Sequence, residues 1–169
     1  HEIFLSSGLP SITDAGVVLY GESQPGWADP RDIRISGFES GSVSILRLIE
    51  DSIQVSGIST LNADAATISI LGTSVIIENC FVTGGNGNEF RAISVRGDSA
   101  TVVNCDIGRS FDLSGAYTPN GNGCIEIVDA EHVVVRNNRI CSFSWGVWAI
   151  RADNFLVDSN QINTPEIVP

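Results

Sequence analysis

One spacing constrains this chain more than its composition does. The segment "VVVRNNRICSFSWGVWAIRADNFLVDSNQI", residues 133–162, carries one pattern twice. Val133-Val134-Val135-Arg136-Asn137-Asn138-Arg139-Ile140 is followed 22 positions on by Phe155-Leu156-Val157-Asp158-Ser159-Asn160-Gln161-Ile162. A unit so short has no partner within itself for its apolar face, so successive copies must stack.

The unit extends back through most of the chain. Its second strands read Ile33-Arg34-Ile35, Ile53-Gln54-Val55, Val75-Ile76-Ile77, Ala100-Thr101-Val102, Val133-Val134-Val135 and Phe155-Leu156-Val157, with start-to-start steps of 20, 22, 25, 33 and 22. A step near 22 with two insertions fits that series. First strands run Leu46-Arg47-Leu48, Ile68-Ser69-Ile70, Ile93-Ser94-Val95, Ile125-Glu126-Ile127 and Trp148-Ala149-Ile150. Third strands close on the inward residues Phe38, Ile58, Val82, Ile107, Ile140 and Ile162. Alternation with period two puts one set of side chains inside and the other outside. Asn79, Asn104, Asn137 and Ser159 fall in register after strand two. Asn tolerates the left-handed backbone of a sharp corner, and stacked amides can hydrogen-bond along a pile.

On "ISVRGDSATVVNCDI", "IEIVDAEHVVVRNNRI" and "WAIRADNFLVDSNQI" the chain resembles the right-handed parallel β-helix proteins of the pectin-lyase-like superfamily. The opening "IFLSSGLPSITDAGVVLYGE" looks like the first coil of large secreted surface proteins of that type. The likeness covers about residues 30–162 and implies an all-β solenoid of about six to seven coils, three short strands in each. One domain spans 1–169, with 1–30 as an opening coil or cap, 31–162 as stacked coils and 163–169 as a tail. The motif is specific for architecture and nearly silent on activity.

Composition excludes several classes. At a net charge of −11 the chain lacks the basic face that phosphate backbones require, so nucleic acid is not an expected partner. All nine cationic side chains are Arg, and the missing Lys removes Lys-based covalent chemistry. No run approaches the roughly 18 apolar residues of a membrane span. The chain begins at His1 without Met, which reads as a processed chain or a fragment.

The cysteines form no Cys-x-x-Cys pair, so zinc is not expected. Cys80 and Cys105 occupy one place in successive coils; Cys124 opens a first strand and Cys141 ends the same coil. All are disulfide candidates in an extracellular setting, with reduced buried thiols at Cys80 and Cys105 as the alternative.

The insertions fall between strand three and the next strand one, at 83–91 and 108–123, with a shorter aromatic corner at 141–146. Phe90, Phe111, Tyr117, Phe143 and Trp145 are thus expected along one edge, as a glycan or partner surface or as loop-covering clusters. In the superfamily resembled, that side usually holds a polysaccharide cleft. Arg96, Glu126 and Arg151 on the outer side of strand one, with Asp129 at the corner, are the catalytic candidates by analogy with its lyases; an exposed ion pair is the plainer reading. "GGNGNEF" resembles one turn of a calcium-binding Gly-rich repeat, which makes Asn86, Asn88 and Glu89 the calcium candidates, although a second stacked copy is missing. His132 reads as a solvated corner residue. Ile76, Val134 and Leu156 point outward from strand two and suggest an assembly surface.

Two functions are compatible with these residues; the first is the expected one, the second its alternative, and the residues lean against an enzyme. One is an extracellular or cell-surface structural module that associates with itself, end to end, or with other surface proteins. The other is a polysaccharide-binding or polysaccharide-cleaving β-helix, a lyase or a glycoside hydrolase. No cofactor is expected beyond the calcium candidate.

Overall fold

The computed structural model describes residues 2–5, 9–37, 44–61, 66–83, 91–111, 117–119, 125–141 and 145–163. They form a parallel β-solenoid with three sheets. The first sheet holds Leu46–Leu48, Ile68–Ile70, Ile93–Val95, Ile125–Val128 and Val147–Ile150. The second holds Val18–Tyr20, Gln54–Ser56, Ile76–Glu78, Thr101–Val103, Val134–Arg136 and Leu156–Asp158. The third holds Glu2–Phe4, Arg34–Ser36, Ser59–Leu61, Phe81–Val82, Asp106–Ile107, Arg139–Cys141 and Gln161–Asn163. Helix is confined, among the described residues, to two 3-10 turns at Gly21–Ser23 and Pro30–Asp32. None of it is long and apolar enough to cross a membrane.

Register follows the repeat. In the second sheet Gln54, Ile76, Thr101, Val134 and Leu156 stack as partners, which puts Val55, Ile77, Val102 and Val135 in one inward file, each fully buried. Ile53, Val75, Ala100 and Val133 form a second buried file just before the strands. Leu48, Ile70, Val95 and Ile127 do the same in the first sheet. Burying each Ile or Val stabilises by about 1.5–3 kcal/mol, and the files merge into one core.

Four expectations are corrected. Among the described residues complete coils number five, one for each strand of the first sheet, rather than six or seven. Arg34–Ser36 is not a second strand: it pairs with Ser59–Leu61 in the third sheet, and Val18–Tyr20 takes the second-sheet place beside Gln54–Ser56. The 20-residue step linked non-equivalent places because the 3-10 turns lengthen that corner. In the third sheet Thr60, not Ile58, stacks between Ile35 and Val82; Ile58 is buried at the corner before the strand, and Phe38 lies outside the described residues. The Thr60 hydroxyl is buried with no hydrogen-bond partner among the described residues. Finally, Val147 rather than Trp148 pairs with Ile125, so Trp148 stands over Glu126 on the outer side and Ala149 turns inward. A slip of one residue exchanges the two faces of a strand.

Corner chemistry divides between two neighbouring files. Asn79, Asn104, Asn137 and Ser159 take φ of 51°, 55°, 55° and 54°, the left-handed backbone expected of them. The amide ladder belongs to the next file, Cys80, Cys105, Asn138 and Asn160, which points inward. Asn138 Nδ2 donates to Val102 O at 2.9 Å and Asn138 Oδ1 accepts from Cys105 N at 2.9 Å. Asn160 Oδ1 accepts from Asn138 N at 2.9 Å, and Asn160 Nδ2 donates to Val135 O at 2.8 Å. Cys80 and Cys105 continue this file as buried free thiols, the alternative to a disulfide between them, and Cys141 is also free. Each sulfur instead approaches a local carbonyl, Cys80 that of Glu78 at 3.1 Å and Cys105 that of Val103 at 3.2 Å. Burial pushes the Cys105 thiol well above its ordinary value. Cys124 lies outside the described residues.

Candidate functional site

The corner from the third sheet into the first is where the insertions leave the stack. Arg91 enters it from the first insertion and Trp145 from the short corner at 141–146, while Glu126 and Trp148 project from adjacent rungs of the first sheet. Arg91 Nε lies 2.8 Å from Glu126 Oε1, and Ser94 Oγ donates to Glu126 Oε2 at 3.1 Å. The Glu126 side chain is 6% exposed and that of Arg91 33%. The Arg91 guanidinium carbon stands 5.1 Å from the centre of the Trp148 ring. That ring meets Trp145 at 5.2 Å between centroids with planes inclined by 31°. Trp145 is 53% exposed.

Each contact fixes the next. The carboxylate of Glu126, shielded from water, anchors Arg91 through a charge-assisted bond. Arg91 then lies against Trp148, an attraction of about 0.5–1 kcal/mol at a partly exposed site. Trp148 in turn supports the open Trp145 ring. Below Glu126 the outward file continues through Ser94, Ser69 and Arg47. The result is a half-open surface with two indole rings and one oriented guanidinium.

Of the candidates Arg96, Glu126 and Arg151, the last two fall into separate groupings. Glu126 belongs to Arg91. Arg151 instead engages Asp129, through Nε to Oδ1 and through Nη2 to Oδ2 at 2.7 Å. That hydrogen bonding holds the Asp129 carboxyl below its usual value against the opposing effect of desolvation, with the charges of Arg151 and Arg96 adding to the lowering. The same contact raises Arg151.

Of the aromatic residues expected along one edge, Trp145 stands exposed at this corner beside Trp148. Phe111 and Tyr117 are cross-strand partners in an antiparallel hairpin, Arg109–Phe111 with Tyr117–Pro119. Phe90 and Phe143 lie outside the described residues, as do the calcium candidates Asn86, Asn88 and Glu89. No group of three or more His, Cys, Asp or Glu gathers for a metal among the described residues. His132 is an exposed corner residue at φ 58° with Glu131 at 3.9 Å. Ile76 and Leu156 are exposed and Val134 half-buried, but Thr101 interrupts their file.

Arg91, Ser94 and Trp148 were not anticipated in the site. Aligning Val147 with Ile125 would have turned Trp148 outward, onto Glu126.

No family model and no curated protein matches the sequence. Among solved structures the fold is similar to the crystal structure of the Dettilon tailspike protein (gp208), with a TM-score of 0.58 and 12% identity over 95% of this chain. The chain spans about a third of that protein's length, 32%. At that identity the likeness concerns the fold, a parallel β-solenoid.

Proposed function

We propose that this protein is an extracellular, surface-displayed β-helix whose corner between the third and first sheets binds polysaccharide. The Arg91–Glu126–Trp148–Trp145 cluster carries this reading. Indole faces pack against the C–H faces of pyranose rings, and an oriented guanidinium donates to hydroxyl or carboxylate oxygens. The stacked rungs hold these groups before a ligand arrives, which lowers the cost of binding. The tailspike likeness supports a surface-displayed setting. The sequence resemblance to pectin-lyase-like β-helices supports polysaccharide as the ligand. Recognition fits better than cleavage, because Glu126 is buried and already engaged by Arg91 and Ser94.

Affinity electrophoresis through gels containing acidic or neutral polysaccharides tests the proposal. At least one polymer should retard the chain. Trp145→Ala, at an exposed position, should leave the melting temperature unchanged and weaken retention about tenfold, equivalent to ~1.4 kcal/mol. Free migration through every gel, or a Trp145→Ala variant retained like the parent, would contradict it.

A structural role is favoured by a different observation. Phe155, Val157 and Ile162 on the last coil, and Ile3 on the first strand, are 39–52% exposed. Apolar side chains in both end layers suit stacking of one copy on another. Sedimentation of the purified chain separates the readings: concentration-dependent growth supports assembly, and a monomer at all concentrations removes it.

A further inference from the structure

The inward file at the corner between the second and third sheets changes chemistry part-way along the stack, and the polysaccharide reading does not use it. In the later coils Asn138 and Asn160 each fasten their rung to the preceding one, donating to Val102 O at 2.9 Å and to Val135 O at 2.8 Å. Cys80 and Cys105 hold the equivalent places in the earlier coils. Their sulfurs reach the equivalent carbonyls, Val55 O and Ile77 O, only at 3.7 Å. A thiol is a weak donor, so these two rungs lack the amide fastening.

Backbone register brings the two thiols together. Glu78 and Val103 are partners in the second sheet, and Asp106 N donates to Cys80 O at 3.0 Å, so Cys80 and Cys105 stand one over the other on neighbouring rungs. Neighbouring strands lie about 4.8 Å apart, within the roughly 4.4–6.8 Å between Cα atoms that a disulfide spans. Both side chains point inward, are buried, and lie within hydrogen-bonding reach of each other.

The pair is not symmetric. Cys80 is among the residues lining a recess of about 560 Å³ at this corner; the next rung contributes Asn104 and Asp106 to that lining but not Cys105. Contact with Cys105 holds the Cys80 thiol below its ordinary value against desolvation, whereas burial pushes Cys105 well above. Cys80 therefore has the character of an attacking thiol and Cys105 that of a resolving one.

We propose that Cys80 and Cys105 are an oxidisable pair that closes into a disulfide when the chain meets a small disulfide, joining two rungs covalently where the amide ladder is missing. The Cys80 thiolate attacks one sulfur of the small disulfide, breaks its S–S bond and releases one small thiol. Cys105 then loses its proton and attacks the Cys80 sulfur, and the second small thiol leaves. The pair gives up two electrons and two protons, and the small disulfide takes up both. The new bond ties positions 80 and 105 in the unfolded chain as well, which favours the folded one. Neither Arg91 nor Trp145 takes part, so the pair stands whether or not the other corner binds polysaccharide.

The reduced, folded chain is incubated with hydroxyethyl disulfide, its remaining thiols are alkylated, and its peptides are mapped by mass spectrometry. The expected result is the loss of two hydrogens, a cross-linked peptide pair holding Cys80 and Cys105, and a melting temperature raised by several degrees, all reversed by dithiothreitol. Cys105→Ser should stop at a mixed disulfide on Cys80, and Cys80→Ser should leave Cys105 unmodified over the same time. The parent chain's cross-link is read without either variant, so a variant that fails to fold does not decide the matter. Thiols that stay free in the folded chain while the same reagent oxidises the urea-unfolded chain would overturn the assignment. So would a cross-link to Cys124 or Cys141 in place of this one, or a mixed disulfide that forms on Cys105 as readily as on Cys80.

Discussion

Asn137 and Asn138 are chemically identical neighbours with unrelated tasks. Asn137 holds φ at 55° and faces solvent, one of a file with Asn79, Asn104 and Ser159; Ser52, Ser74, Ser99, His132 and Asn154 do the same before strand two. A left-handed residue other than Gly costs about 1–2 kcal/mol, so Asn137→Gly should be neutral or slightly stabilising. Asn138 is 2% exposed and satisfies Cys105 N and Val102 O. Asn138→Ala strands both and should cost about 2–3 kcal/mol in chemical denaturation. Similar losses at the two positions would contradict this division. Thr60 offers the opposite sign, since its buried hydroxyl has no partner among the described residues. Thr60→Val keeps the shape and should stabilise by about 1 kcal/mol, read as a higher denaturation midpoint. The left-handed Asn file was legible in the sequence because Asn recurs at one register. The ladder was harder to place, because its file opens with Cys80 and Cys105 and its polar members appear only in the last two coils.

Strands were legible wherever an apolar-x-apolar triplet repeated at the coil spacing, as in Val75-Ile76-Ile77 and Val133-Val134-Val135. They were misread where the pattern was degenerate. In "WGVWAI" two frames are equally apolar, and only pairing with Ile125 selects Val147 as the inward residue. That choice placed Trp148 outside and completed the candidate site, so the main miss in the site followed from a miss in register. In the third strands Thr60 was passed over for Ile58 because hydrophobicity, rather than spacing, guided the reading. The corner after strand one adds a requirement that hydrophobicity does not register. A Cβ on Gly97 would stand 1.9 Å from Gly72 O, and one on Gly72 1.9 Å from Glu50 O. Successive rungs touch there through their backbones. Gly97→Ala should therefore cost about 2–3 kcal/mol by urea denaturation, and an unchanged midpoint would show that the rungs are further apart.

For the whole molecule, acid stability follows from carboxylates held at the corners and the opening turns. Asp32 is lowered chiefly by the Ala28 N–H and then by that of Asp29, Asp51 by the Thr73 N–H, and Asp129 by Arg151. Each folded value lies below the ordinary 3.8. Their stabilisation is therefore complete above the unfolded value and is lost as pH falls through the folded ones. The melting temperature should stay level from neutral pH down to about pH 5 and fall below about pH 4. A decline that begins near neutrality would mean another group controls stability. Stacking also explains why function was less legible than fold. The repeat dictates which residues share a file, whereas the site draws Arg91 from an insertion and Trp145 from the short corner at 141–146, which meet only beside the first sheet.

A crystal structure of the chain soaked with an oligosaccharide from the best-retained polymer tests the central claim most directly. The expected result is a sugar ring within about 4 Å of the Trp145 or Trp148 face, with Arg91 donating to it and Trp148 directly over Glu126. A sugar bound elsewhere while this corner stays bare, or Trp148 turned into the interior, would contradict it.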